Sequence, residues 1–375
     1  MAANKNNKAL NVPHLRFPEF TGEWNFEPLD TIAPNITSGK SKPAVGQYDL
    51  YGSTGIIGKT STADYSGDML LVARVGANAG TLQLVNGICG ITDNTLIIKP
   101  RKLSSRYLHF YLQHYNLNRL IFGSGQPLIT AGMLKKVHIP FGKPLEQYKI
   151  EILLNLIDER IAAQNKIIEK LETLIKGIVD FIFTYYKFTT IPFKDVYSCA
   201  GEGGTPATSN PEYYKSGTIP FIKIDDLQNK YIESNKDYIT ELGLQKSSAW
   251  IVPTNSIIYS NGATIGKVSI NKYPVCTKQG ILGIAPKANM NVEFLYYFMT
   301  STMFAKAIER VVTEGTMRTA YLKDINHILC PIPNSNEQNK IAKLLSALSA
   351  KLENEIIFQR KLQKQKEFLL SQMFI

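Results

Sequence analysis

The chain has 375 residues, 44% of them hydrophobic, so it is globular and long enough for two or three domains. A net charge of +11 points to a polyanionic partner. Its four cysteines (Cys89, Cys199, Cys276 and Cys330) show no CxxC spacing, so they signal neither a disulfide framework nor a zinc knuckle and read as buried thiols of a reducing cytoplasm.

The N-terminal MAANKNNKAL has no apolar core of a signal peptide. Residues 12–141 hold short β-branched runs, among them Asp68–Ala73, Thr81–Val85 and Thr95–Ile98, broken by Gly, Pro, Asn and Ser. They predict strands of a compact, loop-rich domain. Residues 104–121 predict a covering helix whose Tyr107, Phe110, Tyr111 and His114 serve core packing. Ile139-Pro140-Phe141 and Glu146-Gln147-Tyr148-Lys149-Ile150 then lead into a long amphipathic helix. Its apolar positions fall seven apart in two registers. One holds Leu154, Ile161, Ile168, Ile175 and Ile182; the other holds Ile150, Ile157, Leu171 and Ile178, with Gln164 as its polar member. This is a coiled-coil seam. Lys176 and Asp180 interrupt its most apolar stretch, so nothing spans a membrane.

Residues 191–332 repeat the plan. Gly76–Gly80 corresponds to Gly262–Gly266, Cys89 to Cys276, and Thr130-Ala131 to Thr319-Ala320. Cys330-Pro331-Ile332 and Glu337-Gln338-Asn339-Lys340-Ile341 open a second long helix, with Leu345, Leu348, Leu352, Leu362 and Leu369 in the seam. An offset of 191 positions superposes the helices. Two similar halves present two similar sites. The helices together carry almost no net charge, so the basic excess belongs to the loop-rich segments.

Two long helices separated by a domain can bury their stripes by pairing. The predicted architecture is α+β: two loop-rich mixed α/β domains separated by a long antiparallel two-helix coiled coil, with pseudo-two-fold internal duplication. The expected boundaries are 1–144 and 187–334 for the domains, 145–186 and 335–375 for the helices. A helix of about 35 residues is about 50 Å long, between one and two turns of B-DNA.

Catalytic motifs are missing. Gly52-Ser53-Thr54-Gly55-Ile56-Ile57-Gly58-Lys59-Thr60 lacks the first glycine of a phosphate loop and runs into a turn. No glycine-rich methyl-donor loop, Asn-Pro-Pro-aromatic motif, histidine cluster or nucleophile motif occurs, so neither a cofactor nor a metal is expected. The chain reads as a non-catalytic binder. On these features alone a coiled-coil adaptor for protein or RNA remains the alternative.

The motifs resemble one family over essentially the whole chain. They are Phe17-Pro18-Glu19-Phe20-Thr21-Gly22-Glu23-Trp24, the run from Gly203-Gly204-Thr205-Pro206 to Tyr214, Ile219–Leu227, Gly262–Lys267 and the Glu-Gln-x-Lys-Ile helices. The family is the specificity subunit of type I restriction-modification systems. The resemblance implies two target-recognition domains reading a bipartite double-stranded DNA sequence. It also implies docking of two modification (methyltransferase) subunits on the helices, and of ATP-dependent restriction subunits.

Base edges are read by polar side chains on loops, and phosphates are held by lysines and glycine-turn amides. The candidate DNA contacts of the first half are Ser38, Lys40, Tyr51, Ser53, Arg74, Asn78, Asp93, Asn94, Ser124 and Gln126. Those of the second are Thr205, Thr208, Lys223, Ser260, Asn261, Thr264, Lys278, Gln279, Thr316 and Arg318. Thr37-Ser38-Gly39-Lys40 is expected to stand where the second half has Gly203-Gly204-Thr205-Pro206. The candidate seam and subunit-binding residues are Ile157, Ile161, Ile168, Leu171, Ile175, Leu348, Leu352 and Leu362.

Overall fold

The structure, a computed structural model, describes residues 11–121, 126–262, 264–312 and 318–375. The chain divides into two compact units, residues 1–165 with 357–375 and residues 166–356.

In the first unit, β1 (Asn25–Pro28), α1 (Leu29–Ile32), β2 (Thr37–Ser38), β3 (Tyr48–Gly52), β4 (Gly55–Thr60), β5 (Tyr65–Ala73), β6 (Leu82–Ile91) and β7 (Thr95–Ile98) precede the helix α2 (Ser105–Tyr115). Then follow α3 (Ala131–Lys135), β8 (His138–Phe141) and the long α4 (Pro144–Tyr185). The main sheet has the order β2-β7-β5-β6-β3-β4, and β1 pairs with β8. The fully buried stretch Met69–Ala73 explains the apolar run read as a strand. Helix α2 starts where Ser104 accepts the Tyr107 N–H and stops at Asn116, whose φ of 58° is left-handed. It is therefore shorter than the helix expected over 104–121, and a short 3-10 turn follows it.

The aromatic residues of α2 pack as expected. Tyr107, Phe110 and Tyr111 are buried against Leu370, Met373 and Phe374. Their hydroxyls are satisfied, with Tyr107 donating to Pro140 O (3.0 Å) and Tyr111 to His138 O (2.9 Å). His114 is half-buried and stacks on Phe374.

The second unit contains β9 (Thr190–Pro192), β10 (Tyr197–Glu202), β11 (Ile219–Ile222), β12 (Tyr231–Ile232), β13 (Asp237–Ile239), α5 (Glu241–Gln245), β14 (Ile257–Ser260), β15 (Val268–Asn271), β16 (Cys276–Thr277) and β17 (Ile281–Pro286). The helices α6 (Val292–Thr300), α7 (Thr302–Val311) and α8 (Leu322–Ile325), then β18 (Leu329–Pro331) and α9 (Ser335–Met373), complete the chain. Its main sheet runs β10-β17-β14-β15-β12, and β18 pairs with β9.

The halves diverge at one strand. In the first unit β6 is continuous for ten residues and borders both β5 and β3. In the second its counterpart is split, and β16 pairs with β11 in a separate sheet, β13-β11-β16. Asn271 makes the break. Its buried side chain accepts from Ser256 N–H (2.7 Å) and donates to Pro253 O and Tyr273 O (2.8 Å each), replacing ladder bonds. Pro274 follows and cannot donate.

The Glu-Gln motif has a physical role in both copies. Gln147 donates to Gly142 O (2.9 Å) and Gln338 to Pro333 O (2.9 Å), tying the entry loop to each long helix. The glutamates differ. Glu146 is fully buried, whereas Glu337 is exposed. All ten seam positions of α4, from Ile150 to Ile182, are buried or half-buried, Gln164 included. On α9, Leu345 and Leu362 are buried, and Ile341, Leu348, Leu352 and Leu369 half-buried. Within the first unit, Lys366 pairs with Asp158 (2.6 Å) and Arg160 lies over the Phe358 ring (5.4 Å). These two contacts order the helix segments antiparallel.

Three cysteines are buried, as expected of structural thiols, but Cys199 is exposed. It pairs with Ala285 just after a register step in β10 that skips Ser198. Among the described residues, no helix is long and apolar enough to cross a membrane.

Candidate nucleic-acid interface

The same backbone scaffold holds the candidate loops in both units. Gly80 N–H donates to Ala73 O (2.8 Å) as Gly266 N–H donates to Ser260 O (3.0 Å), closing the glycine loop after β5 and after β14. Arg74 N–H reaches Asn94 O (3.0 Å) as Asn261 N–H reaches Gly280 O (3.0 Å). Ile129 N–H binds Arg74 O (2.8 Å) as Ala320 N–H binds Asn261 O (2.9 Å). Thr92 N–H donates to Tyr51 O and Lys278 N–H to Ile222 O (3.0 Å each). These bonds clamp loops far apart in sequence at one end of each sheet.

Two glycines set the closest approach. A Cβ on Gly39 would sit 2.2 Å from Ile91 O, and one on Gly203 would sit 2.0 Å from Thr277 O. Gly39 N–H donates to Thr95 O (3.0 Å) and Gly203 N–H to Ile281 O (2.9 Å). Gly39 is thus the counterpart of Gly203, two positions away from the expected alignment of Thr37-Ser38-Gly39-Lys40 with Gly203-Gly204-Thr205-Pro206. A backbone contact that tolerates no side chain decides the register. With that shift Ser41 stands where Thr205 does, and both hydroxyls accept a loop amide: Ser41 from Ile91 N–H (3.1 Å), Thr205 from Gln279 N–H (3.3 Å).

In the first unit, Lys40, Ser53, Asn78, Asp93 and Asn94 line one open cleft of about 450 Å³. Tyr51 is half-buried behind it. Ser53 Oγ lies 3.5 Å from Asn94 O. Ser38 is half-buried in β2, paired opposite Leu96. Arg74 is half-buried, and its Nε has no partner within the described residues. Gln126 is exposed beside Gly76. Ser124 lies outside the described residues. Ser41, Lys42, Thr54 and Ile57 also line this cleft. Sequence reasoning passed over them, and for Ser41 the signal was the misplaced alignment.

In the second unit, Thr208, Thr264, Lys278, Gln279 and Arg318 are exposed, and Thr205 is half-buried. Lys223 is half-buried and its ammonium pairs with Asp237 (2.8 Å). Ser260 and Asn261 are buried, at 1% and 0% exposure, so their polar atoms hold the loops from within. Ser260 Oγ accepts from Lys267 N–H (2.8 Å), and Asn261 Nδ2 donates to Ala320 O (3.1 Å). Glu202, not singled out from sequence, accepts the Gly280 N–H (2.8 Å) and shapes the turn that carries Gln279. Thr316 lies outside the described residues.

A polar cluster fixes α6 and β12 to α9 in this unit. Lys230 Nζ binds Ser346 Oγ (2.9 Å), Tyr297 OH (3.1 Å) and Glu293 (3.2 Å). Burial lowers the Lys230 ammonium, but the Tyr297 hydroxyl and Glu293 outweigh it and the pKa is raised. Burial likewise raises Glu293, and the Ser346 and Tyr231 hydroxyls with Lys230 bring it below the usual carboxylate range. Among the described residues no group of three or more His, Cys, Asp or Glu side chains could hold a metal ion.

Ile161, Ile168, Leu171 and Ile175 are half-buried and Ile157 is buried. Several apolar side chains outside the seam are exposed, including Leu156 (56%), Leu174 (49%) and Leu344 (52%).

The type I restriction modification DNA specificity domain family matches the chain twice, over residues 29–173 and 186–359. The type I restriction enzyme MjaIX specificity subunit of Methanocaldococcus jannaschii is 38% identical over 168 residues, covering 43% of this chain and 38% of the relative. The EcoR124I/EcoR124II specificity subunit of Escherichia coli is 29% identical over 178 residues, covering 44% of each. The chain thus spans less than half the length of these two relatives. The crystal structure of a type I restriction-modification S subunit from M. genitalium shares the fold, with a TM-score of 0.63 at 17% identity over 97% of this chain and 99% of that one. With both halves of the chain matched and the whole fold shared, the protein belongs to the type I restriction modification DNA specificity family.

Proposed function

We propose that this chain is the DNA-recognition subunit of a type I restriction-modification complex. Its two recognition domains, residues 1–144 and 187–334, each read one half of a bipartite double-stranded target. The observation that carries this reading is the repeated loop scaffold, in which equivalent backbone bonds display different polar side chains. Asp93 and Asn94 occupy the positions of Gln279 and Gly280. A common frame with different side chains fits a reader of two unlike half-sites.

The chain itself is non-catalytic in this reading and acts in the cytoplasm. Methyl transfer and ATP-dependent cleavage belong to partner subunits. Two modification subunits dock on the long helices, where the exposed apolar side chains exceed what one helix pair covers. Restriction subunits join that complex. In support, a relative 38% identical over 168 residues carries the name of a type I restriction enzyme specificity subunit, and the DNA specificity domain family matches both halves of the chain.

The test is to map methylated bases in a host genome expressing the chain with its modification subunit. A split motif with a fixed gap is expected, and both halves must reappear in binding selections with the purified complex. A short contiguous motif, or no sequence preference, would refute the reading.

A further inference from the structure

The segment 52–60, which lacks the first glycine of a phosphate loop, forms the turn and second strand of the β3–β4 hairpin of the first unit, with Ser53 and Thr54 at its tip. Strand β4 is the edge of the six-stranded sheet. It carries two consecutive isoleucines, Ile56 and Ile57, that are 57% and 53% exposed. Exposed isoleucines on a sheet edge favour aggregation unless they serve an interaction. The shared fold does not require them. After β11, whose Ile222 makes the loop contact that Tyr51 makes in the first unit, the chain turns through Ile224 and Leu227, which pack inward.

Ile57 has a seat. Its side chain lies against Gly52, where a Cβ would come within 2.9 Å of Ile57 Cγ2. Gln83 holds that point of the hairpin by donating to Gly52 O (2.9 Å). Ile57 is the unpaired residue of an irregularity in β4, between Ile56 opposite Tyr51 and Gly58 opposite Leu50, and unlike Ile56 it lines the cleft with Lys40, Lys42, Asn78, Asp93 and Asn94. Lys40 and Lys42 line the same cleft, where ammonium groups suit contacts to phosphates. Apart from Pro43, Ile57 is the apolar side chain of a cleft otherwise lined by polar and charged groups and Gly52, and an aliphatic group in that setting matches one feature of the major groove. The thymine C5-methyl is the apolar group there, beside the O4 acceptor.

We propose that Ile57 is a specificity-determining residue that buries a thymine methyl group of one half-site. This rests on the DNA-reading function proposed above. The test uses the full chain with its modification subunits and duplexes carrying the bipartite target. Each thymine of both half-sites is replaced singly by deoxyuridine, which lacks only the methyl group. One position, in one half-site, is expected to weaken binding roughly fourfold, the value of one buried methyl group. Ile57→Ala should bind thymine and deoxyuridine equally at that position and keep every other deoxyuridine response. Ile251→Ala, at an exposed isoleucine of the second unit, should retain the effect in full.

The proposal is overturned if the wild-type complex is indifferent to every replacement, or if Ile57→Ala keeps the same discrimination. It is also overturned if Ile57→Ala changes only self-association, which would make the edge a contact between copies. In each of these cases binding to the split target persists and the DNA-reading function stands. Loss of sequence preference in the wild-type complex itself would instead remove that function and the Ile57 assignment together.

Discussion

Arg16→Ala is the sharpest test of how the first unit is assembled. Glu146, at the first turn of α4, is fully buried. Arg16 meets it through two donors, Nε at 2.6 Å and Nη2 at 2.9 Å, and Trp24 Nε1 adds a third at 3.1 Å. Gly142 leaves room for the carboxylate, since a Cβ there would lie 2.2 Å from Glu146 Oε2. Removing Arg16 strands a desolvated carboxylate with one neutral donor. Breaking a buried pair in this way costs about 3–5 kcal/mol. For a unit of this size each kcal/mol shifts the melting temperature by about 2–4 °C, so a loss of roughly 10 °C or more is expected. Urea unfolding of the full chain should show the loss in the first unit, with the double variant Arg16→Met/Glu146→Met recovering most of it. In binding assays only the half-site read by the first unit should weaken. An Arg16→Ala variant within about 1 kcal/mol of wild type would show that the buried pair does not hold the arm to the helix.

Three further outcomes are expected. Gly39→Ala and Gly203→Ala each force a Cβ onto a carbonyl oxygen, at 2.2 and 2.0 Å. Each should cost roughly 1–3 kcal/mol in urea unfolding and abolish recognition of one half-site. Burial first, then Lys366, lowers the His109 pKa from 6.5 to about 4, with Arg106 adding to the shift and Asp158 opposing it. The unfolded chain therefore takes up a proton below pH 6.5 that the folded chain resists until about pH 4. Stability should fall by about 3 kcal/mol across that window, and His109→Phe should flatten the slope in pH-dependent melts. Gln279→Ala and Arg318→Ala should each cost about 1–3 kcal/mol at one base pair of the half-site read by the second unit. Equal losses on unrelated DNA would instead identify phosphate contacts.

The candidate cleft of the first unit was legible because few residue types are suited to reading base edges from loops. Lys40, Ser53, Asn78, Asp93 and Asn94, picked from four separate segments, share one cleft. Ser260 and Asn261 look the same in sequence and are buried, because a polar side chain can satisfy a loop's own backbone as well as a ligand. Nothing local distinguishes the two uses. Ile57 was passed over for the opposite reason: an isoleucine in a strand reads as core, and only the position of β4 at the sheet edge exposes it.

The duplication, the two long helices and their seam follow from the sequence alone. Periodicity is a local property, and a seven-residue repeat sustained from Ile150 to Ile182 has one efficient way to hide its apolar face. The tertiary structure decided what depends on contacts between distant segments. It aligned Gly39 with Gly203 through carbonyls more than fifty residues away, and it buried Glu146 under an arginine 130 residues upstream. It also split the counterpart of β6 through the side chain of Asn271. Each of these outcomes is set by which backbone groups meet in space, and such meetings leave no periodic trace in the chain.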